Sequence, residues 1–80
     1  MIVWDERKRL ANLAKHGYDF AELTEDFFLS AVVLPARDRR MKAIGRFEDG
    51  TIVVIYFTLG TEAVSLVSMR PASTREREFL

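Results

Sequence analysis

Five cations crowd into ten residues near the middle of the chain, Arg37, Arg39, Arg40, Lys42 and Arg46, against the single acid Asp38. What they can do depends on which of them share a surface. In "RRMKAIGRF" (39–47) polar and apolar residues alternate as in a strand, whose successive side chains point to opposite faces. Arg40, Lys42, Ile44 and Arg46 then share one face, and Met41, Ala43 and Gly45 the other. The same parity in "EAVSLVSMR" (62–70) puts Val64, Leu66, Ser68 and Arg70 together, with Arg70 leaving the strand just before Pro71. Both rows on one uncovered sheet face would make a basic groove for phosphates along a nucleic-acid backbone, because arginine's planar fork binds them bidentately. The plainer reading is that an open antiparallel face needs solubilising side chains, which lysine and arginine supply.

The only histidine, His16, lies in "ANLAKHGYDF" (11–20) between Lys15 and Gly17. An imidazole titrates near neutrality and can act as a general acid or base. Equally, Lys15 and His16 before a glycine describe an ordinary helix end, since glycine accepts the left-handed conformation and cations suit the negative end of the helix dipole. Both readings of His16 stand at this point.

Other chemistries find little support. With no cysteine there is no thiolate, disulfide or cysteine-rich zinc site, and a lone histidine argues against most other transition-metal sites. No phosphate-binding or dinucleotide-binding glycine loop and no nucleophile elbow occurs, so no cofactor is expected. Glu22 with Glu25 or Asp26 reads as a solvated acidic helix face, and Trp4 and the phenylalanines read as core.

The elements that must position these residues follow from pattern. "IVW" (2–4) reads as a short strand, and Asp5 as the N-cap of a helix over 6–16 in which Leu10 and Leu13 recur at helical spacing. Asp19 and Glu22 have capping-box spacing and open a second helix over about 20–28, with Phe20, Leu23, Phe27 and Phe28 on roughly one side. "LSAVVLP" (29–35), "RRMKAIGRF", "TIVVIYFT" (51–58) and "EAVSLVSMR" form a four-strand meander with a turn at "EDG" (48–50). Ser73 and Glu76 form a capping box for a short C-terminal helix. The expected fold is α+β, one domain over 1–80, with helices packed on one face of a small antiparallel sheet.

Net charge is zero, which argues against a generic polyanion binder, yet the charges are segregated. Acids cluster in Asp19, Glu22, Glu25 and Asp26 and again in Glu48, Asp49 and Glu62, and the central segment 37–46 has five cations to one acid. The longest apolar run, "IVVIYF" (52–57), is too short to cross a bilayer, and "MIVWDERKRL" lacks the charge order of a signal peptide. A soluble cytoplasmic protein with no membrane partner is the expectation.

"WDERKRLANLAKHGYDF" (4–20), followed in order by "AIG", "VVIY" and "VSMRPASTRERE" (67–78), resembles the BrnT family of type II toxin-antitoxin toxins. Its members carry W-D, then K-x-x-x-N-x-x-K-H-G, then I-S-x-R-x-A and an R-E pair. Here the motif positions fall on Asn12, on Lys15, His16 and Gly17, on Val67, Ser68, Met69 and Arg70, and on Arg75 and Glu76 with Arg77 next. The segment 30–46 carries little of the family signature, so Arg40, Lys42 and Arg46 rest on strand parity alone. The resemblance implies a RelE-like fold, RNA cleavage that inhibits translation, and neutralisation by a BrnA antitoxin with a ribbon-helix-helix part. It also implies that operator DNA is touched only through the antitoxin.

RNA cleavage by transesterification needs geometry, stabilisation of charge on the phosphoryl oxygens and proton transfer, and none of these requires a metal. On that footing Arg70 is the expected main phosphate ligand, supported by Arg77, Arg46 and Arg40. Lys42 and Arg75 are expected to bind RNA, and His16 or Lys15 to assist proton transfer. A second class stays open: a non-catalytic module that acts with a DNA-binding antitoxin as a co-repressor. The arginines favour the enzyme. Zero net charge and the lack of a clear acid-base pair favour the module.

Overall fold

The computed structural model describes all 80 residues. Asp5, in an extended conformation, accepts from the Arg7 N–H at 2.8 Å and starts α1 (Glu6–His16). Gly17, at φ 78°, ends it by donating its N–H to the Leu13 carbonyl at 2.9 Å. Glu6 in the first turn and Lys15 and His16 in the last complement the helix dipole, as expected from the sequence.

The second helix differs from its expected span. Asp19 accepts from the Ala21 N–H and caps only a 3-10 turn, Phe20–Glu22, while Glu22 makes no reciprocal capping bond. Leu23 is extended, and α2 (Glu25–Ser30) begins after Thr24. The Asp19 carboxylate is also held by Arg9 at 3.1 Å, which ties this turn to α1. The break lets Phe20, Leu23 and Phe27 all reach the core.

Five strands form one sheet: β1 (Ile2–Trp4), β2 (Val32–Pro35), β3 (Met41–Phe47), β4 (Gly50–Leu59) and β5 (Ala63–Pro71). Their order is β1-β5-β4-β3-β2. The expected antiparallel meander is present from β2 to β5, but β1 adds a fifth strand parallel to β5, pairing Ile2 with Val64 and Trp4 with Leu66. A three-residue apolar run carries no mark of its distant partner. Residues 39 and 40 lie outside β3: Asp38 and Arg39 take φ of 56° and 65°, and the Arg40 N–H bonds the Arg37 carbonyl at 3.1 Å, closing a tight turn.

A bulge interrupts β5. Ile55 pairs with Ser68 but Tyr56 with Leu66, leaving Val67 as an extra residue. Side-chain parity reverses there, so Leu66 and Val64 join the helix-covered core and do not share a face with Ser68 and Arg70 as simple alternation predicts.

On the helix-covered face, Phe20, Leu23 and Phe27 pack on Ala43, Ile52, Val54, Tyr56, Leu66 and Met69. The helix α2 sits so close to β3 that a Cβ on Gly45 would stand 2.9 Å from Phe27 Cε1. The opposite face holds a smaller cluster, Ile44, Val53 and Ala72, flanked by Leu34 and Ile55. Over it folds α3 (Thr74–Arg77), which corrects the expectation that all helices lie on one face. No helix is long and apolar enough to cross a membrane.

The helix α1 buries a polar residue where Leu10 and Leu13 were the sequence markers. Both leucines are exposed, and Asn12 is buried. Its amide accepts from the Met69 N–H at 3.0 Å and donates to the Met69 carbonyl at 2.9 Å and the Tyr18 carbonyl at 3.0 Å. Since β1 pairs only as far as Leu66, Asn12 supplies at Met69 the peptide-like partner that no strand provides. Asn12→Ala leaves a buried N–H and C=O unmet, a loss on the order of 3 kcal/mol, and its Tm should fall by about 10 °C or more in a calorimetric scan. An unchanged Tm would show that the pairing carries no weight.

Candidate active site

Cross-strand register arranges the face beneath α3. Lys42, Ile55 and Ser68 form one row; Ile44, Val53 and Arg70 form the next; Arg46 and Thr51 follow. Lys42 and Arg70 therefore stand in adjacent rows on either side of an apolar strip. Over that strip α3 delivers Glu76, a buried carboxylate whose side chain is 10% exposed.

Glu76 collects four donors. Arg70 Nη1 reaches Oε1 at 2.8 Å and Nη2 reaches Oε2 at 2.9 Å, an end-on bidentate pair. Lys42 Nζ donates to Oε2 at 3.0 Å, and the Ser73 N–H to Oε1 at 2.9 Å. Ser73 Oγ accepts from the Glu76 N–H at 3.1 Å, completing the expected capping box. The bonds from Arg70, then from the Ser73 N–H and Lys42, outweigh burial and hold the Glu76 carboxyl far below the usual carboxylate range. The same pair pushes the Arg70 guanidinium upward against its own burial.

Arg70 keeps one edge open. Its Nη1 also donates to the Pro71 carbonyl at 3.2 Å, whereas Nε and the outer N–H of Nη2 have no partner in the chain. In a guanidinium group these two N–H bonds run parallel, so a complete second fork is left.

The remaining candidates are distributed around this cluster. Arg46 shares the face and is exposed, with no acidic partner. Arg40 also faces this side, from the turn before β3, with its guanidinium carbon 5.4 Å from the centre of the Phe57 ring and its Nε buried without a hydrogen bond. Phe57 lies on the face opposite the main core, contrary to the reading of all phenylalanines as core. Arg75 and Arg77 are exposed on α3 without ion pairs. Lys15 and half-buried His16 stand apart from Arg70. With Lys8 and Asn12 they line a cleft of about 250 Å³ against Val67 and Ser68, and Ser68 occupies the same row as Lys42.

The expected basic groove is thus not an open trough. Two of its cations, Lys42 and Arg70, converge on a carboxylate, and none of the molecule's cavities is lined by them. In the sequence Glu76 stands both in the capping box and in the R-E pair of the family pattern, but only the cap was given a role, and its place at the centre of the cluster was missed. Nothing in the local pattern tells a capping glutamate from one that also reaches across to a strand. No group of three or more histidine, cysteine or acidic residues comes together to hold a metal ion.

The fold and the cluster together define a class: a five-stranded α+β domain with cations gathered on the sheet face away from its main helices. The profile of the family described as "Ribonuclease toxin, BrnT, of type II toxin-antitoxin system" matches residues 4–76, from Trp4 to Glu76, and the chain belongs to that family. It is similar to the Brucella abortus ribonuclease toxin BrnT, known from a 1.1 Å crystal structure. The two are 53% identical, with a TM-score of 0.85 over 91% of this chain and 96% of the Brucella chain. Among curated proteins no match is found.

The cluster makes stability pH-dependent in a defined direction. Because folding lowers the Glu76 pKa, its contribution is present above the ordinary value of 4.5 and is lost as pH falls through the folded value. Glu76→Gln keeps a capping side chain but carries no titrating charge. Denaturant titrations from pH 7 down to about pH 3 should show the stability gap between wild type and variant shrinking below the ordinary glutamate range. A gap independent of pH would mean that the charge on Glu76 contributes nothing to the fold.

Proposed function

We propose that this chain is an endoribonuclease toxin that cleaves RNA without a metal ion and so inhibits translation in the cytoplasm. The observation that carries this reading is the pairing of Arg70 and Lys42 in adjacent rows of one sheet face, with a complete guanidinium fork of Arg70 still unmet. The RNA 2′-oxygen attacks the adjacent phosphorus, its proton goes to a base, and the 5′-oxygen leaves with a proton from an acid. In this reading Arg70 and Lys42 meet the extra negative charge on the phosphoryl oxygens, and the fixed positions of these donors supply much of the rate gain.

Other cations have supporting roles. Arg46 is one row further on and can take a neighbouring phosphate, and Arg75 and Arg77 offer exposed charge from α3. Arg40, stacked on Phe57, offers a flat cationic surface to the same strand of RNA. For proton transfer, Lys15 and His16 line the cleft against Val67 and Ser68 at the edge of this face, so His16 is assigned that part, with its helix-end role the competing explanation. The partner we propose is a BrnA-type antitoxin with a ribbon-helix-helix part, which covers this face with an acidic or apolar segment and alone contacts operator DNA.

The second reading, a non-catalytic partner-binding module, draws support from Glu76, which already occupies one fork of Arg70. Cleavage of labelled single-stranded RNA separates the two. Arg70→Ala should lower the rate roughly a hundredfold or more, the scale of losing one preorganised oxyanion donor. Cleavage at the parental rate would remove Arg70 from the mechanism, and no cleavage by the wild type, with or without translating ribosomes, would leave the binding module. For His16→Ala the diagnostic is the pH-rate profile: one limb should disappear, whereas an unaltered profile assigns His16 to the helix end.

A further inference from the structure

We infer that Glu76 is a positioning residue for the reaction: anchored by Ser73, it sets the Arg70 fork and the Lys42 ammonium to receive one phosphate. The inference rests on the ribonuclease reading above and adds a residue to it. A buried carboxylate beside a phosphate site is electrostatically unfavourable for binding an anion, so its place there needs another explanation. Geometry supplies one.

Arg70 projects from the end of β5 on a side chain with several rotatable bonds. Glu76 takes both inner N–H bonds of its end-on fork, and the Pro71 carbonyl takes the other N–H of Nη1. The guanidinium plane is thereby fixed, and the side-on fork of Nε and Nη2 is the part left to bind. Lys42 Nζ lies 3.0 Å from Oε2, the oxygen that Nη2 approaches at 2.9 Å, so the ammonium stands beside that fork, within joint reach of one phosphate. The cations are aimed before substrate arrives, which is the condition for charge stabilisation without reorganisation.

Glu76 itself is immobile for a local reason. Its two oxygens have four donors between them, and its own N–H is held by Ser73 Oγ. With only four residues, α3 is too short to be stable by itself, and this network fixes it to the sheet. A carboxylate so fully bonded is a weak base, which separates Glu76 from the proton-transfer step.

The test compares wild type with Glu76→Gln, which retains a capping side chain, and with Ser73→Ala, which loosens the mount without touching the carboxylate. Each is checked by circular dichroism to be folded at the assay temperature. Two quantities are measured: kcat on a labelled RNA, and affinity for an uncleavable 2′-deoxy analogue of that RNA. For Glu76→Gln, kcat should fall on the order of a hundredfold, the penalty for a small misplacement of catalytic groups, while the analogue binds as well or more tightly because a negative charge is gone. Ser73→Ala should show a smaller fall in kcat with unchanged affinity.

Several results would overturn the inference. A rise in both affinity and kcat in Glu76→Gln would make Glu76 a quencher of the site. Unchanged kcat per folded molecule in both variants would make it a structural clamp, and loss of the acidic limb of the wild-type pH-rate profile in Glu76→Gln would make it the base. A wild type that does not cleave RNA sinks the ribonuclease reading instead, so the two failures are distinguishable.

Discussion

The exchange of hydrogen bonds between the Asn12 amide and the Met69 backbone fixes the relation between helix and sheet on which the rest depends. Met69 lies beyond Leu66, the last residue of β5 that the short strand β1 pairs. A side-chain amide fills the gap with the donor and acceptor of a peptide group, and it does so from a helix. That contact holds α1 against β5 beside Val67 and Ser68, where the register of β5 on β4 turns the Met69 side chain into the main core and Arg70 to the opposite face. Asn12 is buried for this reason while the leucines on either side of it are not.

Charge is arranged with the same economy. Net charge is zero, yet on the sheet face beneath α3 two cations, Lys42 and Arg70, share the carboxylate of Glu76. Glu6 and Asp19 are both paired with Arg9, and Glu25 with the amino group of Met1, at the other side of the molecule. Bonds from Arg9 and Trp4 hold the Glu6 carboxyl below its ordinary range, and the Ala21 N–H and then Arg9 do the same for Asp19, so these acids remain charged where they stabilise helix ends. Arg46, Arg75 and Arg77 are left unpaired around the Glu76 cluster. A neutral total is therefore compatible with a locally cationic face.

Much of this was legible from residue order. The ends of α1 follow from Asp5 and Gly17, the capping box from Ser73 and Glu76, and the common face of Lys42, Ile44 and Arg46 from two-residue alternation. Alternation failed in β5, because a bulge at Val67 has no local signature in a run of β-branched and small residues, and one extra residue reverses every side chain beyond it. The parallel pairing of β1 was equally hidden, since parallel partners are remote in sequence. Asp19 and Glu22 had the right spacing for a capping box, but Asp19 caps a single 3-10 turn and binds Arg9, and the chain is extended at Leu23, whose side chain is buried in the core. The candidate site was half visible: its cations were seen, and Glu76, which bonds two of them, was read as a helix cap and as part of the R-E pair without a role in the cluster. Phe57 was missed for a similar reason, since an aromatic residue in an apolar strand gives no sign that it faces away from the main core.

If this sheet face cleaves RNA through its own side chains, as proposed, the ends it leaves are diagnostic and can be read by mass spectrometry after purified protein is incubated with a defined RNA in excess EDTA. Attack by the 2′-oxygen leaves a 2′,3′-cyclic phosphate on one fragment and a 5′-hydroxyl on the other, and these are the ends expected. Fragments carrying 5′-phosphate, or cleavage that begins only when a divalent cation is restored, would contradict the account.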